Sequence, residues 1–382
     1  MKKLLLLISI LSPVFTYAQH KKTGPSTYDL LIGTYTSGAS KGIYVYRLYE
    51  ETGKVAYLNQ FTNAEDTSFT NPSYLCVAAN NKFVYAVNEN TKGGVTALTF
   101  DAATGRMQYL DNQPSMGADP CYISVDRDQK NVFVANYSSG SLSVFPVNKD
   151  GSISPASQVI QDAGTGPNKD RQAGPHVHTA VLSPNEKYLL YTDLGTDKLN
   201  VMRYKASKPQ PLSPASDPFV SVTPGNGPRH VVFSADSKYL YLLQEIGGEI
   251  NVYNYDGGKL SQVQSISMQL PAFKGNIGSA AIKISPDGRF LYASNRGVAN
   301  DIVEYAIDPT NGQLSFVSRI SSLGKGPRDF AIDPSGKFMI VANQNGGGIL
   351  VYRIDQKTGK LVGVTTKIDI ENPVCLKLVS AE

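Results

Sequence analysis

Short apolar runs separated by polar turns recur along the chain from residue 71 onward. Each unit starts beside a proline or small residue, runs through five or six mostly apolar positions, turns through a segment such as SPDG or DPSG, and continues as a second apolar run. Such runs predict β-strands, and the turn residues between them predict hairpins. Six units of this kind begin at Asn71, Asp119, Pro175, Pro228, Ile277 and Pro327.

A second polar segment that contains glycine follows most of these units. The segments EETGKVAYL, DAATGRMQYL and DPTNGQLSFV each place a glycine after polar residues and before another apolar run. This pattern predicts a further hairpin, so that each unit has four antiparallel strands. Repeated four-stranded units of this length are typical of propeller blades.

The two ends of the chain complete the count of blades. YDLLIGTYTSG, near the start, matches a second strand without a first, and NPVCLKLV at 372–379 matches a first strand without a second. The sequence therefore predicts an all-β fold, a seven-bladed β-propeller with four antiparallel strands per blade. We expect the C-terminal strand to join the N-terminal blade and close the ring, which leaves no open sheet edge. An open β-sandwich or two domains would not explain the matching incomplete ends.

The first residues, MKKLLLLISILSPVFTYAQ, have the pattern of a secretory signal peptide. Two lysines precede an apolar run, and a small residue, Ala18, stands before the expected cleavage site. The run is too short for a membrane-spanning helix. We therefore expect residues 1–18 to be removed, residues 19–382 to form the propeller, and the protein to be exported to the periplasm or the extracellular space.

Composition excludes several classes of function. Three cysteines and four histidines, without a CxxC, favour neither a disulfide framework nor a Cys/His zinc site. The formal net charge of +4 is partly due to leader lysines and indicates no nucleic-acid partner. We expect a monomer without metal or cofactor.

Aligning the units shows where they stop being alike. The residue after the proline forms what we call the first rim ring, and the end of the second strand forms the second rim ring. The first rim ring consists of Ser73, Cys121, His178, Arg229, Ala280, Arg328 and Val374. The second consists of Tyr35, Glu89, Tyr137, Leu194, Glu245, Arg296 and Gln344. Because the two strands are antiparallel, both rings should lie at one mouth of the channel.

The charged members of the two rings are the candidate site residues. His178, Arg229 and Glu245, with Arg296, are predicted to be catalytic, and Arg328 and Glu89 to bind substrate. A cluster of polar groups in a concave mouth is the default hypothesis for a site. The alternative, paired rim charges that only keep the propeller soluble, would not require the charged residues to align in this way.

Three further residues complete the set of substrate-binding candidates. The long connection GTGPNKDRQAGPHVH, residues 164–178, could carry Arg171 over the mouth. It also contains His176, which shares its face with His178 if the strand alternates regularly, but no third ligand stands beside them for a metal. Asp193 belongs to a third ring, one position before the second, which is rich in Asn and which we expect to be mainly structural.

Four blocks give the chain a specific resemblance. GPHVHTAVLSPNEKYLLYTDLGTDK, GPRHVVFSADSKYLYLLQE, SPDGRFLYASNRG and GPRDFAIDPSGKFMIVANQ resemble, in order, the lactonase family of seven-bladed propellers. That family includes 6-phosphogluconolactonase and the fungal carboxy-cis,cis-muconate cyclase. The resemblance implies hydrolysis or formation of a lactone on an acidic small molecule, without metal or organic cofactor. It also implies that the family's catalytic His, Arg, Glu and second Arg correspond to the His176/His178 segment, Arg229, Glu245 and Arg296.

Within this resemblance several interpretations remain open. His178 or Glu245 would take a proton from the attacking water, Arg229 or Arg296 would face the developing oxyanion, and Arg328 would hold the acidic group of the substrate. A lactonising cyclase would use the same residues in the reverse direction, and a secreted binding propeller would not need them to meet. Export argues against a phosphorylated substrate of a cytoplasmic route.

Overall fold

The computed structural model describes residues 27–62, 69–270 and 272–381. Within these ranges it contains twenty-eight β-strands and no helix, arranged as seven four-stranded antiparallel sheets. This confirms the predicted all-β seven-bladed propeller. The predicted signal peptide, residues 1–18, lies outside the described residues.

The strands fall into blades in chain order. Blade 1 contains β1 (Thr27–Thr34), β2 (Ile43–Tyr49) and β3 (Lys54–Phe61), together with the last strand, β28 (Pro373–Ser380). Blades 2 and 3 contain β4 (Leu75–Val77), β5 (Phe83–Asn88), β6 (Gly94–Asp101), β7 (Arg106–Pro114), β8 (Pro120–Val125), β9 (Asn131–Asn136), β10 (Ser141–Pro146) and β11 (Gln158–Gln161). Blades 4 and 5 contain β12 (Val177–Leu182), β13 (Tyr188–Asp193), β14 (Lys198–Tyr204), β15 (Leu212–Ser221), β16 (Pro228–Phe233), β17 (Tyr239–Gln244), β18 (Glu249–Asp256) and β19 (Lys259–Ser267). Blades 6 and 7 contain β20 (Ser279–Ile284), β21 (Phe290–Asn295), β22 (Asp301–Ile307), β23 (Leu314–Ser321), β24 (Pro327–Ile332), β25 (Phe338–Asn343), β26 (Gly348–Ile354) and β27 (Leu361–Ile368).

The ring closes where the sequence predicts. The C-terminal strand β28 pairs with β1 in an antiparallel ladder that runs from Tyr28↔Ser380 to Thr34↔Pro373. β28 is the inner strand of blade 1, and the inner strands of successive blades contact one another around the channel. Two ends of the chain are thereby held in one sheet.

The hydrophobic core lies between neighbouring blades, where sheet faces pack together. Tyrosines contribute much of this core because the ring packs among apolar side chains while the hydroxyl still finds a partner. The fully buried Tyr241 of blade 5 donates to the Gly312 carbonyl of blade 6 at 2.9 Å. Tyr292 of blade 6 donates in the same way to Gly359 of blade 7, at 2.6 Å. Tyr241 and Tyr292 therefore link neighbouring blades through their hydroxyl groups.

A β-bulge places the first rim ring. In blade 5, Pro228 pairs with Gln244 and the next paired residue is His230, opposite Leu243, so Arg229 is the extra residue of the inner strand. The same shift leaves Cys121, His178 and Arg328 as the extra residues of their strands. A bulge redirects a side chain out of the regular alternation, and here it turns these side chains toward the mouth.

The residue two positions before the bulge explains why the tripeptide GPR occurs twice, at 227–229 and at 326–328. Its φ is positive in six of the blades, at Asn71, Asp119, Gly227, Gly278, Gly326 and Asn372. Only Gly, and less readily Asn and Asp, adopt this left-handed conformation at low cost. In the tripeptide, the glycine therefore adopts the left-handed conformation and the arginine occupies the bulge at the rim.

Candidate active site

The carboxylate of Glu245 is the centre of the charged cluster. Arg229 Nε lies 2.9 Å and Arg296 Nη2 lies 3.0 Å from its Oε2, while Arg171 Nη2 donates to its Oε1 at 2.6 Å. Burial would raise the pKa of this carboxyl, but Arg296, Arg229, His178 and Arg171 hold the pKa well below its usual range. Glu245 is therefore an anion that gathers three guanidinium groups, and it is a weak base.

Arg229 lies deepest of the three arginines. Its residue is 2% exposed, and besides Glu245 its Nη1 donates to the carbonyl oxygen of Ala280. Burial, together with the charge of Arg296, lowers the pKa of Arg229 to about 10, so the group stays charged at neutral pH. A buried cation of this kind is tolerated only with a partner, and Glu245 supplies it.

His178 lies beside this cluster, with Nε2 4.0 Å from Glu245 Oε2. Burial, and then the charge of Arg229, hold the pKa of His178 well below its ordinary value of 6.5. Its ring contacts Tyr137 edge-to-face at 5.7 Å and His230 at 5.2 Å. Its buried Nδ1 has no hydrogen-bond partner among the described residues. The imidazole is thus neutral near pH 7, with one ring nitrogen unused.

The connection between blades 3 and 4 brings Arg171 to the cluster. Its neighbour Gln172 is fully buried and donates to the Leu194 carbonyl and to Asp197 Oδ1, both at 2.8 Å. Arg171 itself bridges Glu245 and the Tyr137 hydroxyl, which accepts at 3.2 Å. The predicted position of Arg171 over the mouth is therefore the position that the structure shows.

His176 and Asp193 lie apart from the Glu245 cluster. His176 precedes β12, stacks on the ring of Tyr137 at 4.4 Å, and places Nδ1 3.0 Å from the Tyr137 carbonyl oxygen. The carboxylate of Asp193 accepts from the backbone amides of His176 and Gly195 at 2.7 and 2.9 Å. Because Oδ1 accepts from backbone amides and Oδ2 from the Thr196 hydroxyl, Asp193 positions the His176 segment and is not brought to the cluster.

The other half of the mouth is built around Glu89. Its carboxylate accepts from the Tyr35 hydroxyl at 2.9 Å and from the Ser73 hydroxyl. Arg328 lies over the Tyr35 ring, 5.3 Å from its centroid, and its Nη1 donates to Gln344 Oε1 at 3.4 Å. Burial opposes the charge of Arg328, but Tyr35 and Glu89 raise the pKa of its guanidinium above the usual range. Glu89 and Arg328 thus share a neighbour, Tyr35, rather than a direct ion pair.

A cavity of about 310 Å³, here called the mouth cavity, opens beside Glu245, Arg296 and Arg328, whereas His178, Arg229 and Glu89 are not among the residues that line it. Its lining consists of Arg171, Glu245, Asn276, Gly278, Arg296, Gly297, Arg328, Gln344 and Asn345. Three of its lining side chains, those of Arg171, Arg296 and Arg328, therefore carry guanidinium groups, which favour the binding of oxyanions and carboxylates. In the described part of the chain, no group of three His, Cys, Asp or Glu side chains could hold a metal ion.

The rim also contains residues that the sequence did not single out. Tyr35, Tyr137 and Gln344 contact the predicted residues directly. All three belong to the second rim ring, so the alignment of the repeats places them at the mouth. Their side chains are uncharged, however, and only the charged members of the ring indicate a site by their residue type. Asn345 follows Gln344 and reaches the cavity through a loop whose path the repeat alignment does not define.

Comparison with known proteins agrees with this architecture. The model of the family described as lactonase, 7-bladed beta-propeller, matches residues 29–378. The 6-phosphogluconolactonase of Bacillus subtilis (strain 168) is 36% identical over 91% of this chain and 97% of its own length. The 6-phosphogluconolactonase of Formosa agariphila is 33% identical over 91% and 99%.

A solved structure gives the same result. The periplasmic gluconolactonase of Pseudomonas aeruginosa superposes with a TM-score of 0.88 at 39% identity, covering 94% of this chain and 100% of that one. Within the parts of the chain that the structure describes, no helix is long and apolar enough to cross a membrane. The extent of the match over all seven blades shows that the chain belongs to the lactonase family of seven-bladed β-propellers.

Proposed function

We propose that this protein hydrolyses the lactone of a sugar acid in the mouth cavity. The observation that carries the proposal is the arrangement of three arginines and a neutral histidine around Glu245. Relatives with the names 6-phosphogluconolactonase and gluconolactonase support the same reaction class. The reaction adds water to the carbonyl carbon and breaks its bond to the ring oxygen, which takes a proton.

In this proposal, His178 is the general base. Its pKa is low enough for the ring to be neutral at pH 7, and Nδ1 has no partner among the described residues. For this role the buried Nδ1 must become accessible to water when the lactone binds. With Nε2 4.0 Å from Glu245 Oε2, the carboxylate would stabilise the imidazolium that forms when Nδ1 accepts the proton. At this distance the carboxylate would act on the ring through its charge, without a hydrogen bond, and it need not accept the proton itself. The low pKa of Glu245 disfavours it as the base.

The arginines that line the mouth cavity would bind the reacting groups. Arg296 donates its Nε to the Gly278 carbonyl at 3.0 Å and reaches Glu245 through Nη2, so its planar group is fixed beside the cavity. A fixed donor aimed at a developing oxyanion is worth about 3–4 kcal/mol of transition-state stabilisation. Arg328 would bind hydroxyl or acidic substituents of the lactone, and the deeper Arg229 would hold Glu245 in place.

A pH-stat assay of a lactone panel tests the proposal. Glucono-δ-lactone, galactono-lactone and 6-phosphogluconolactone would be compared with the purified protein, the His178→Gln variant and the Arg106→Ala variant. Arg106 is exposed on the outer strand β7, far from the mouth in the blade, and serves as the control. We expect turnover by the wild type and Arg106→Ala, and a loss of about 10²–10⁴-fold for His178→Gln. Absence of turnover of every lactone by the wild type would overturn the proposal.

Export belongs to the same proposal. The pattern of residues 1–18 and the periplasmic relative support a location outside the cytoplasm. A substrate without phosphate would then fit better than a phosphorylated intermediate of a cytoplasmic route. Cell fractionation with an antibody to the protein tests the location, and N-terminal sequencing of the mature chain tests cleavage after Ala18.

A further inference from the structure

A second and larger cavity lies between blades 1 and 7, next to the mouth cavity. Its volume is about 590 Å³, and we call it the tyrosine cavity because Tyr44, Tyr46 and Tyr57 form one wall. Building on the proposed function, we propose that the tyrosine cavity binds the glycosyl unit of a disaccharide lactone, whose lactone ring occupies the mouth cavity. The enzyme would then prefer an aldobionolactone to a monosaccharide lactone.

Two residues connect the cavities. Gln344 and Asn345 line both of them, and Gln344 Oε1 accepts the hydrogen bond from Arg328 of the mouth at 3.4 Å. The cavities are therefore separated by the width of one residue pair. In the proposal, a substituent on a lactone ring held by Arg328 would extend past Gln344 into the tyrosine cavity.

The wall beyond these residues carries no side chains. Gly346, Gly347 and Gly348 follow Asn345, and all three line the tyrosine cavity. Their φ values of 135°, 98° and 65° lie in the region that favours glycine. A Cβ on Gly347 would also lie 2.8 Å from the Gly324 Cα. The loop therefore presents backbone and no side chain to the tyrosine cavity.

The opposite wall offers aromatic faces of suitable geometry. Tyr57 is 56% exposed, and its ring meets that of Tyr46 edge-to-face at 5.5 Å and 80°. An exposed aromatic face packs well against the C–H face of a pyranose ring, since both are apolar and rigid. The two perpendicular rings form a corner in which one sugar ring would fit.

Polar groups around the rest of the cavity suit a neutral polyol. Asn345, Glu371 and Asn372 supply amide and carboxylate groups to which sugar hydroxyls could donate or from which they could accept. The cation of the rim, Lys367, is paired with Asp369 at 2.7 Å. The lining of the tyrosine cavity thus has no unpaired cation and one carboxylate, that of Glu371, without an ion-pair partner among the described residues. Unlike the cationic mouth cavity, it therefore favours a neutral glycosyl unit over a phosphate.

The proposed substrate also indicates which type of reaction must precede this hydrolysis. Water adds to the lactone carbonyl, the carbonyl–ring-oxygen bond breaks, and the glycosidic bond stays intact, giving an aldobionic acid. The enzyme that supplies the substrate must therefore oxidise a disaccharide at the anomeric carbon of its reducing end.

The test compares Tyr57→Ala with Tyr109→Ala. Tyr109 occupies the matching ladder position in blade 2, since Tyr57 pairs with Tyr46 and Tyr109 with Leu98 just after a register shift in each sheet. Lactobiono-δ-lactone and glucono-δ-lactone would be the substrates. For Tyr57→Ala we expect a loss of about fivefold in kcat/KM on lactobionolactone, through KM, and unchanged activity on gluconolactone. Tyr57→Phe should keep the wild-type kcat/KM on both lactones. Tyr109→Ala should likewise leave kcat/KM unchanged on both.

Calorimetric titration with lactobionate and with gluconate separates this inference from the proposed function. Tighter binding of lactobionate, lost in Tyr57→Ala, supports the tyrosine cavity even if no lactone is hydrolysed, an outcome that removes only the proposed reaction. Hydrolysis of gluconolactone with equal effects of Tyr57→Ala on both substrates, or lactobionate binding that does not depend on Tyr57, would overturn the inference and leave the lactonase proposal intact.

Discussion

The backbone amide of Glu245 donates a 2.7 Å hydrogen bond to the carbonyl oxygen of Gly227. This bond ties the second rim ring to the residue that sets the bulge of the first. The same bond recurs in the other six blades, from Tyr35 to Asn372, Glu89 to Asn71, Tyr137 to Asp119, Leu194 to His176, Arg296 to Gly278 and Gln344 to Gly326. The backbone therefore fixes the relative position of the two rings, whichever side chains occupy them.

This relationship predicts how the left-handed position tolerates substitution. Gly326 has φ 68°, close to the values of Asn71 and Asp119 in the other blades. Gly326→Asn should therefore cost little stability, whereas the β-branched Gly326→Val should cost about 1–3 kcal/mol in backbone strain. Denaturant unfolding of both variants measures the difference. Equal stabilities would show that the positive φ is not a constraint.

The pH dependence of activity should reflect the neutral state of His178. Its pKa lies below 6.5 because of burial and Arg229, and a general base is active when deprotonated. We therefore expect kcat/KM to stay level from pH 8 down through pH 6.5 and to fall only at lower pH, where the ring takes a proton. A pH-stat profile corrected for spontaneous lactone hydrolysis measures this. An inflection at or above 6.5 that disappears in His178→Gln would contradict the assignment.

Arg229 and Arg328 should respond differently to truncation. Arg229 is buried against Glu245, so Arg229→Ala should leave the carboxylate misplaced and lower kcat by about 10²–10³-fold. Arg328 lines the mouth cavity, so Arg328→Ala should mainly raise KM. Arg229→Lys should recover little, because an ammonium cannot reproduce the planar fork.

Steady-state kinetics with Arg106→Ala as control separates the two roles. The reverse pattern, a KM effect for Arg229→Ala and a kcat effect for Arg328→Ala, would exchange the roles of the two arginines. Full activity of both alanine variants would argue against an enzyme that uses this cluster.

The contribution of Asp162 to the stability of the fold should decrease as pH rises toward neutrality. Burial, and then the neighbouring Asp193 carboxylate, raise the pKa of Asp162 from 3.8 to about 7. Between these values the folded protein holds a proton that the unfolded chain has released, so folding is disfavoured progressively as pH increases. Above about pH 7 the contribution of Asp162 no longer changes.

The Asp162→Asn variant tests this linkage. An amide at this position can still accept from the Tyr191 hydroxyl, which donates to Asp162 Oδ1 at 2.9 Å. We expect the variant to be more stable than the wild type at pH 7.5, with a difference in unfolding free energy between the two proteins that grows from pH 4.5 to pH 7. Identical slopes for the two proteins would show that Asp162 has an ordinary pKa.

Closure of the ring should depend on the last strand. Removing residues 372–382 deletes β28 and exposes β1 along the ladder from Tyr28 to Thr34. Unpaired edges of this kind promote aggregation. We expect the truncated protein to be insoluble or aggregated in size-exclusion chromatography, whereas a chain shortened only at Glu382 should behave as the wild type. A soluble truncated protein with an unchanged melting temperature would refute the role of β28.

The sequence by itself determined the number of blades, their strand order and the closure. These features depend on local signals, namely apolar runs, turn residues and a repeat whose two incomplete ends match. It also placed Arg229, Glu245 and Arg296 at one mouth, because equivalent positions of a closed ring must lie at the same level.

Only the tertiary structure decided which contacts each of these side chains makes. Arg229 is buried against Glu245 and the Ala280 carbonyl, while Arg328 lines the mouth cavity, although both are the bulged third residue of the same tripeptide. Asp193 is committed to backbone amides of its own blade connection, and Arg171 reaches Glu245 from another blade. Such contacts join residues far apart in the chain, and their geometry follows from packing between blades, which no local pattern of residues specifies.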